Sequence, residues 1–572
     1  MQKAAYVYTF FLRHHWWFDA GLVGLYYIAT AIRDRTPVYD SIMCSADAEG
    51  ITFQAPGKEL LKEFLNSCYL ELANRYWNVS SKKQREENDL VIYYKQTDRL
   101  DLIPRRNSTP IPSLFTKGSS FRADGEEYEM LSSDMKKRVD LFLEENRKNL
   151  WGNKRRLLYE PPVCHPKMVL FPDSRKKAIC CICGQENVCS DVSQPSFLLF
   201  ASPTATLSFN SEARKPDKIC WECQFLSKFA VESAHYKSSG DNLYVLQVAS
   251  AHAKKLIDTH CILGSQSAIR EFDMDNYLSN IGTQKGDNRL LYYARLPYEL
   301  LWAFFHDTYD LLRKDAETRS RSKDELTMFC IKPFIETPLQ LILLITSSKG
   351  KTFLLKEIIN YTESAYAFRL LHSLQEEFSL DHRFLYKFFQ DLYLPEGKKA
   401  FELNNHIFRN RILQRVLQKK PILQDIEELA FRKSLQQAFP YVSNLLDFTR
   451  HYQPIIQEGL GMTKEQIEVA VNLGKQIVIS AREAAKDVSS SNFDRVKGDL
   501  FALRKTRTVT DFLEQLNRIQ FRYNIVISNQ ILGGIFQDST VSFVDFKSYC
   551  LLSALNTYNN YKRDKGTKGS VN

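Results

Sequence analysis

The sequence predicts an α+β multidomain chain. A mixed α/β N-terminal domain (residues 1–160) is followed by an inserted cysteine-rich region (161–235), a helix-rich middle (236–435) and an all-α C-terminal bundle (436–572). Three observations predict it. The 572 residues exceed what one core organises, because domains typically hold ~100–200 residues. Short apolar runs alternate with helical stretches up to residue 160, and two tight cysteine pairs follow. From residue 240 onward, apolar residues recur mostly at helical spacing.

The N-terminal segment 1–33 is apolar in two runs, Tyr6 to Leu12 and Gly21 to Ile32, and reads as a buried strand or helix pair. The second run is too short to span a bilayer, and no small-residue cleavage site follows the first. These features predict a cytoplasmic protein without membrane contact. Ile51 to Phe53 reads as a strand and Pro56-Gly57 as a turn. Leu60, Leu61, Phe64, Leu65, Cys68 and Leu72 share one helical face. Leu90 to Tyr94 reads as a strand, the proline-rich stretch 104–121 as irregular, and Asp134 to Asn149 as a helix. Phe197 to Phe200 and Thr204 to Phe209 read as strands between the cysteine pairs. Leu290 to Leu312 and Phe401 to Lys420 are amphipathic, and the last 137 residues break only at Ser489-Ser490-Ser491 and Gly533-Gly534 before a polar tail.

Cys180-x-x-Cys183 and Cys220-x-x-Cys223 carry the sharpest chemistry. Each CxxC turn places two thiolates on one side of a tight loop, and two turns supply the tetrahedral sulfur set that zinc prefers. Twelve cysteines in a chain without an export signal favour metal over disulfides. The region therefore reads as a four-cysteine zinc finger with structural Zn2+, since four sulfurs leave no open coordination position. Thirty-six residues separate Cys183 from Cys220, more than a compact zinc ribbon holds, so a β-excursion is expected there. Cys181, Cys189 and Cys164-His165 are rival ligands.

Two motifs imitate catalysis. Thr346-Ser-Ser-Lys-Gly-Lys351-Thr352 resembles the end of a phosphate-binding loop, but Ile345 stands where the first glycine belongs. A polar turn between helices is the expectation. His306-Asp307 is a lone dipeptide without companion ligands, expected as a helix-surface histidine. The chain therefore reads as non-enzymatic. The alternatives are a nucleotide hydrolase or nuclease using Lys351 and Thr352 or His306 and Asp307, and a zinc-stapled scaffold that binds only protein.

Net charge is +10, from 77 Lys and Arg against 67 Asp and Glu, a modest excess whose placement matters more than its sum. Loop clusters occur at Lys82, Lys83 and Arg85, at Arg105, Arg106 and Asn107, at Lys117, at Lys154, Arg155 and Arg156, and at Arg175, Lys176 and Lys177. Such groups neutralise phosphates or reach base edges. Arg495, Lys497, Arg504, Lys505, Arg507, Arg518 and Arg522 recur near the C-terminus and would form a single-strand track if they shared one face.

Three features together resemble a known family, the large subunits of type I-B CRISPR Cascade surveillance complexes. They are the opening segment Trp17-Phe-Asp-Ala-Gly-Leu-Val-Gly-Leu25, the paired CxxC motifs, and a helical C-terminal region after a long helical middle. The resemblance implies a subunit that recognises the duplex motif flanking an RNA-guided target, aids strand separation and holds displaced DNA. Its implied partners are the guide CRISPR RNA, target double-stranded DNA, backbone and guide-end-capping subunits, and a docked helicase–nuclease. It also implies a small subunit made from the C-terminal region. Met462, the only methionine after Met328, precedes Thr463-Lys-Glu-Gln466, a capping-box sequence that starts a helix cleanly.

Overall fold

The computed structural model describes residues 5–75, 91–102, 119–122, 125–146, 156–159, 163–166, 168–174, 176–192, 218–239, 241–265, 283–286, 289–318, 339–349, 352–381, 383–395, 403–436, 440–485, 491–527, 534–538 and 541–568. Lys82, Lys83, Arg85, Arg105, Arg106, Asn107, Lys117, Lys154, Arg155, Arg175, Gly350, Lys351 and the strands expected at 197–200 and 204–209 lie outside them. The chain is mixed α+β, with sheets in its N-terminal part and helices in its C-terminal part. It divides into two compact units, Met1–Ile281 with Lys332–Ser364, and Gly282–Ile331 with Ala365–Asn572.

The first unit begins β1 (Tyr6–Phe11), α1 (Trp16–Arg35), β2 (Met43–Ala46), β3 (Gly50–Ala55) and α2 (Lys58–Arg75). The three strands form an antiparallel sheet in the order β1-β3-β2. Alternation decides its faces: Phe10, Ile51, Phe53 and Ala55 are buried, whereas Val7, Phe11 and Met43 are exposed. A second small sheet, in the order β5-β4-β8-β7, joins β4 (Val91–Tyr94), β5 (Arg99–Leu102), β7 (Gly125–Glu127) and β8 (Arg156–Leu158). Between its third and fourth members in sequence lies α3 (Ser133–Glu145). Val91, Leu131, Val139 and Leu157 make a shared core there. β6 (Ser119–Arg122) pairs with β9 (Val163–Pro166).

The cysteine-rich region contributes β10 (Ala178–Ile179), β11 (Glu186–Asn187), β12 (Cys189–Asp191), β13 (Lys218–Cys220) and α4 (Trp221–Ser233). α1 and α4 are close partners because α1 carries glycines where they touch. A Cβ on Gly21 would lie 1.9 Å from the Leu226 carbonyl oxygen, and one on Gly24 2.1 Å from that of Phe229. Trp17 Nε1 donates to the Ser227 carbonyl at 3.1 Å, and Ser233 Oγ to the Ala20 carbonyl at 2.7 Å. The Trp17–Leu25 segment is thus the surface on which α4 rests.

The helix-rich middle also contains a sheet that spacing did not predict. β14 (His235–Ser239), β15 (Asn242–Ala249), β18 (Gln340–Lys349) and β19 (Thr352–Tyr361) form four antiparallel strands in sequence order within the first unit. Val245, Leu246 and Val248 on β15 and the run Leu341 to Ile345 on β18 are buried without alternation. Such a run does not distinguish a doubly covered strand from a buried helix. Between β15 and β18 in sequence come α5 (Ala253–Ser265) and then β16 (Thr283–Gly286) and β17 (Arg289–Tyr293), a hairpin of the second unit.

The second unit is otherwise helical. It comprises α6 (Pro297–Thr318), α7 (Ser364–Glu377), α8 (Phe384–Asp391), α9 (Ile407–Leu417), α10 (Leu423–Gln436), α11 (Ser443–Gln457), α12 (Lys464–Ala485), α13 (Ser491–Lys505), α14 (Val509–Tyr523) and α15 (Phe543–Lys568). The amphipathic stretch expected over Leu290 to Leu312 splits at Pro297, where proline suits the first helical position. A buried charge knot fixes that helix start. Glu299 accepts from the Arg295 and Leu296 amides at 2.7 and 3.1 Å and from Arg409 Nε at 2.7 Å, with His406 Nδ1 3.1 Å away.

Candidate metal centre

The two CxxC turns converge. The sulfurs of Cys180, Cys183, Cys220 and Cys223 all lie within 4.8 Å of one another, and those of Cys183 and Cys220 are 3.8 Å apart. All four are free thiols, three of them buried. A tetrahedral site with metal–sulfur bonds of ~2.3 Å places sulfurs about 3.8 Å apart, so a cluster within 4.8 Å, with one pair at 3.8 Å, could hold a metal ion. The predicted ligands are the observed cluster. Cys189 Sγ instead donates to the Ala178 carbonyl at 3.3 Å, and Cys181 is exposed. The side chains of Cys164 and His165 lie outside the described residues.

Local folding explains the convergence. β10 and β11 make a hairpin around the first turn, where the Cys180 amide donates to the Gln185 carbonyl and the Gly184 amide to the Cys180 carbonyl. Gly184 has φ +68°, which glycine adopts without penalty, and a Cβ there would touch nothing, so conformation and not space selects it. β12 and β13 pair Cys189 with Cys220, bringing the second turn beside the first. Cys220 then caps α4. Its sulfur accepts from the Cys223 amide at 3.4 Å, and the Cys220 amide donates to Cys180 Sγ at 3.3 Å. The cluster therefore sits at a helix N-terminus, where the backbone favours negative charge.

Electrostatics describe a group of thiols in competition. Hydrogen bonds from Cys220 and Cys223 hold the Cys180 thiol far below its usual range, and one from Cys223 brings Cys183 down to about 6. Cys220 and Cys223, as donors to Cys180, are pushed well up. Two thiolates at this separation repel by about 4 kcal/mol at an effective dielectric of ~20, so full ionisation needs a cation among the sulfurs. The protein supplies one positive group alongside. Arg13, its side chain only 6% exposed, donates to Glu222 Oε2 at 2.5 Å. Burial opposes its charge, but Cys223, Glu222 and Cys183 outweigh burial and raise its pKa. Tyr8 Oη donates to Glu222 Oε1 at 2.8 Å, and Asn187 Nδ2 reaches the same oxygen at 3.3 Å. Trp221 packs among Tyr8, Phe10 and Phe171, with the Phe171 ring 4.8 Å away.

Arg13, Tyr8 and Asn187 escaped sequence reasoning. Glu222 stands inside the second CxxC pair, but nothing in the spacing places Arg13 against a residue 209 positions away.

The remaining candidates separate clearly. The Thr346–Thr352 segment joins β18 to β19, so it is a β-hairpin and not a turn between helices. A phosphate-binding loop leads from strand to helix, whereas this motif lies between two paired strands. Thr352 begins β19, and Lys351 lies outside the described residues. His306, expected on a helix surface, is buried at 3% exposure, its ring 4.2 Å from Tyr386 and edge-on to it. Its apolar surroundings on α6 draw it inward. The nearby Asp310 is held by Arg313 at 3.0 Å and Lys314 at 2.7 Å. Among the described residues the four cysteines are the one grouping with metal-ligand geometry.

Three of the C-terminal basic residues are engaged within the bundle. Arg504 donates to Glu427 Oε1 at 2.9 Å and stacks on Phe431, Lys497 donates to the Ser434 carbonyl at 2.8 Å, and Arg522 grips Asp499. Lys505 and Arg507 are exposed. Arg156 lies in β8, its side chain outside the described residues, and Lys176 and Lys177 are exposed beside the first cysteine turn. Among the described residues no helix is long and apolar enough to cross a membrane. The sequence matches no protein-family model and no curated protein.

Proposed function

We propose that this chain is a non-catalytic nucleic-acid-binding protein whose first unit is stapled by structural zinc. More particularly, we propose that it is the large subunit of a type I-B CRISPR Cascade surveillance complex, acting in RNA-guided antiviral defence. One observation carries the reading. The four-sulfur cluster caps α4, and α4 rests on the glycine face of the Trp17–Leu25 segment. Two of the features behind the family resemblance therefore meet in one piece of architecture. Zinc is the metal of choice for four thiolates in a tetrahedral shell, and a closed shell leaves no position for substrate or water. Cys180, Cys183, Cys220 and Cys223 would hold it, and it would supply folding free energy to the α1–α4 layer.

In this reading, guide-RNA pairing supplies target sequence specificity, and the chain reads the flanking duplex motif and helps open it. The cations Lys82, Lys83, Arg105, Arg106, Lys117, Lys154 and Arg155, the polar Asn107, and Arg156 at the start of β8 are the candidates for those contacts. The helical bundle holds displaced DNA through Lys505 and Arg507 and helps dock the helicase–nuclease. Arg504, tied to Glu427, serves the bundle's packing. A second product beginning at Met462 supplies small subunits. In support, Thr463 and Gln466 make the reciprocal capping box, at 3.3 and 2.9 Å, that starts α12.

The test is affinity purification of the chain from its native host, with sequencing of bound RNA. The reading predicts short RNAs of one size class sharing a common 5′ segment, companion subunits, and a fragment starting at Met462. A chain recovered without RNA overturns it. An ATPase using Lys351 and Thr352, or a nuclease using His306 and Asp307, predicts instead turnover that is lost on substitution there.

A further inference from the structure

We infer that the exposed face of α14 around Phe521 is a stacking platform for single-stranded nucleic acid. α14 turns Phe512, Leu516, Ile519 and Tyr523 into the bundle, a spacing that forces positions 514, 517, 518, 521 and 522 outward. Phe521 is 90% exposed, and Val526, just beyond the helix, 80% exposed. Among the described residues the Phe521 ring has no aromatic or cationic neighbour. An aromatic side chain left in water forgoes about 1.5–3 kcal/mol of burial. Arg518 shares this exposed helix surface, and Arg522, one turn further on, is paired with Asp499.

An exposed aromatic ring and an exposed cation thus share one helix surface, the pattern expected where a sequence serves a ligand and not its own fold. The surface is rigidly mounted. Arg522 grips Asp499, the Tyr523 hydroxyl donates to the same carboxylate at 2.6 Å, and Gln476 of α12 donates to the Val526 carbonyl at 2.9 Å. Arg495, exposed, lies one turn from Asp499 on α13. The ligand must offer a flat apolar face close to negative charge. A nucleotide offers both in every residue of the strand, and a bare ring accepts any base. A peptide would match only where aromatic and acidic residues alternate. Duplex DNA hides its base faces and is excluded from the ring. The platform's ring, Phe521, is a residue that charge patterning did not single out.

This inference rests on the nucleic-acid reading above and is tested separately from it. Fluorescence anisotropy on the full chain would use a labelled 20-nucleotide oligo-dT, an oligo-U of equal length and a duplex. Phe521→Ala should weaken binding to both single strands about 5- to 150-fold, the contribution of one stacked base, and leave the duplex unchanged. Phe521→Trp should restore it. Arg518→Ala should reduce the slope of log affinity against log salt by about 0.7. Unchanged thermal unfolding checks that the variants fold. Equal single-strand affinity of Phe521→Ala and the parent, or failure of tryptophan to restore it, overturns the platform while the broader reading stands. A parent chain that binds none of the three probes overturns both.

Discussion

Replacing Gly21 by alanine tests the contact that joins the opening segment to the cysteine cluster. The new Cβ would lie 1.9 Å from the Leu226 carbonyl oxygen, which is backbone and cannot rotate away. Ordinary contact needs about 3.4 Å, so α1 and α4 must separate by roughly 1.5 Å. A gap of 0.5–1 Å already forfeits a quarter to a half of the dispersion attraction. The layer holds Trp17, Phe225 and Phe229, all fully buried. Each contributes about 1.5–3 kcal/mol by burial, so partial separation costs ~2–4 kcal/mol. Alanine returns about 1 kcal/mol of helix propensity, leaving a net loss of about 1–3 kcal/mol. Hydrogen-exchange mass spectrometry reads this directly. Peptides covering 16–35 and 221–233 should exchange about 5- to 150-fold faster than in the parent, and those of the C-terminal bundle at the same rate. Metal release to a competing chelator should accelerate as well, because Cys220 caps the displaced helix. Unchanged exchange in both helices would refute the close approach and the architectural role given to the segment.

Other perturbations reach other parts of the account. Cys223→Ser should abolish stoichiometric metal binding and raise exchange across 176–192 and 218–233, whereas Cys189→Ser should do neither; metal analysis and exchange measurements check both. Glu299→Gln should cost about 3–5 kcal/mol in chemical denaturation, because Arg409 is left buried with its charge unmatched. Although burial opposes it, Arg409 and His406 hold the Glu299 carboxyl below its ordinary value. Its contribution is therefore present above the unfolded-state pKa of ~4.3 and lost as pH falls through the folded value, so parent and variant should converge in acid. Lys351→Ala and Thr352→Ala should leave any nucleotide hydrolysis by the preparation unchanged; a proportional loss in a phosphate-release assay would restore the enzymatic alternative.

Much of the architecture was legible because local signals agreed with one another. The helices at 58–75 and 133–145 and the strand at 91–94 follow from spacing and punctuation. The cysteine cluster follows from chemistry alone, since four thiols at CxxC spacing have few other uses. The strands β14, β15, β18 and β19 were hidden because the central residues of β15 and β18 are buried on both faces and show no alternation. Residues 236–435, expected as one region, are shared between the two units for the same reason: β15 pairs with β18 across about a hundred residues. His306 was misplaced because a polar residue in an aromatic helix gives no sign of which way it turns. Arg13, Glu222 and Tyr8 form their network through a tertiary contact that no sequence period encodes. Phe521 reads as one more apolar residue until the helix shows which positions its core has taken.

The central claim, a closed four-sulfur metal staple in a protein that grips nucleic acid without transforming it, is tested most directly by metal analysis of the purified full chain. Inductively coupled plasma mass spectrometry, with thiol counting before and after a mercurial reagent, should find one zinc per chain and four thiols protected until the metal leaves. Chains free of metal with all cysteines reactive, or a second catalytic metal bound elsewhere and supporting turnover, would contradict it.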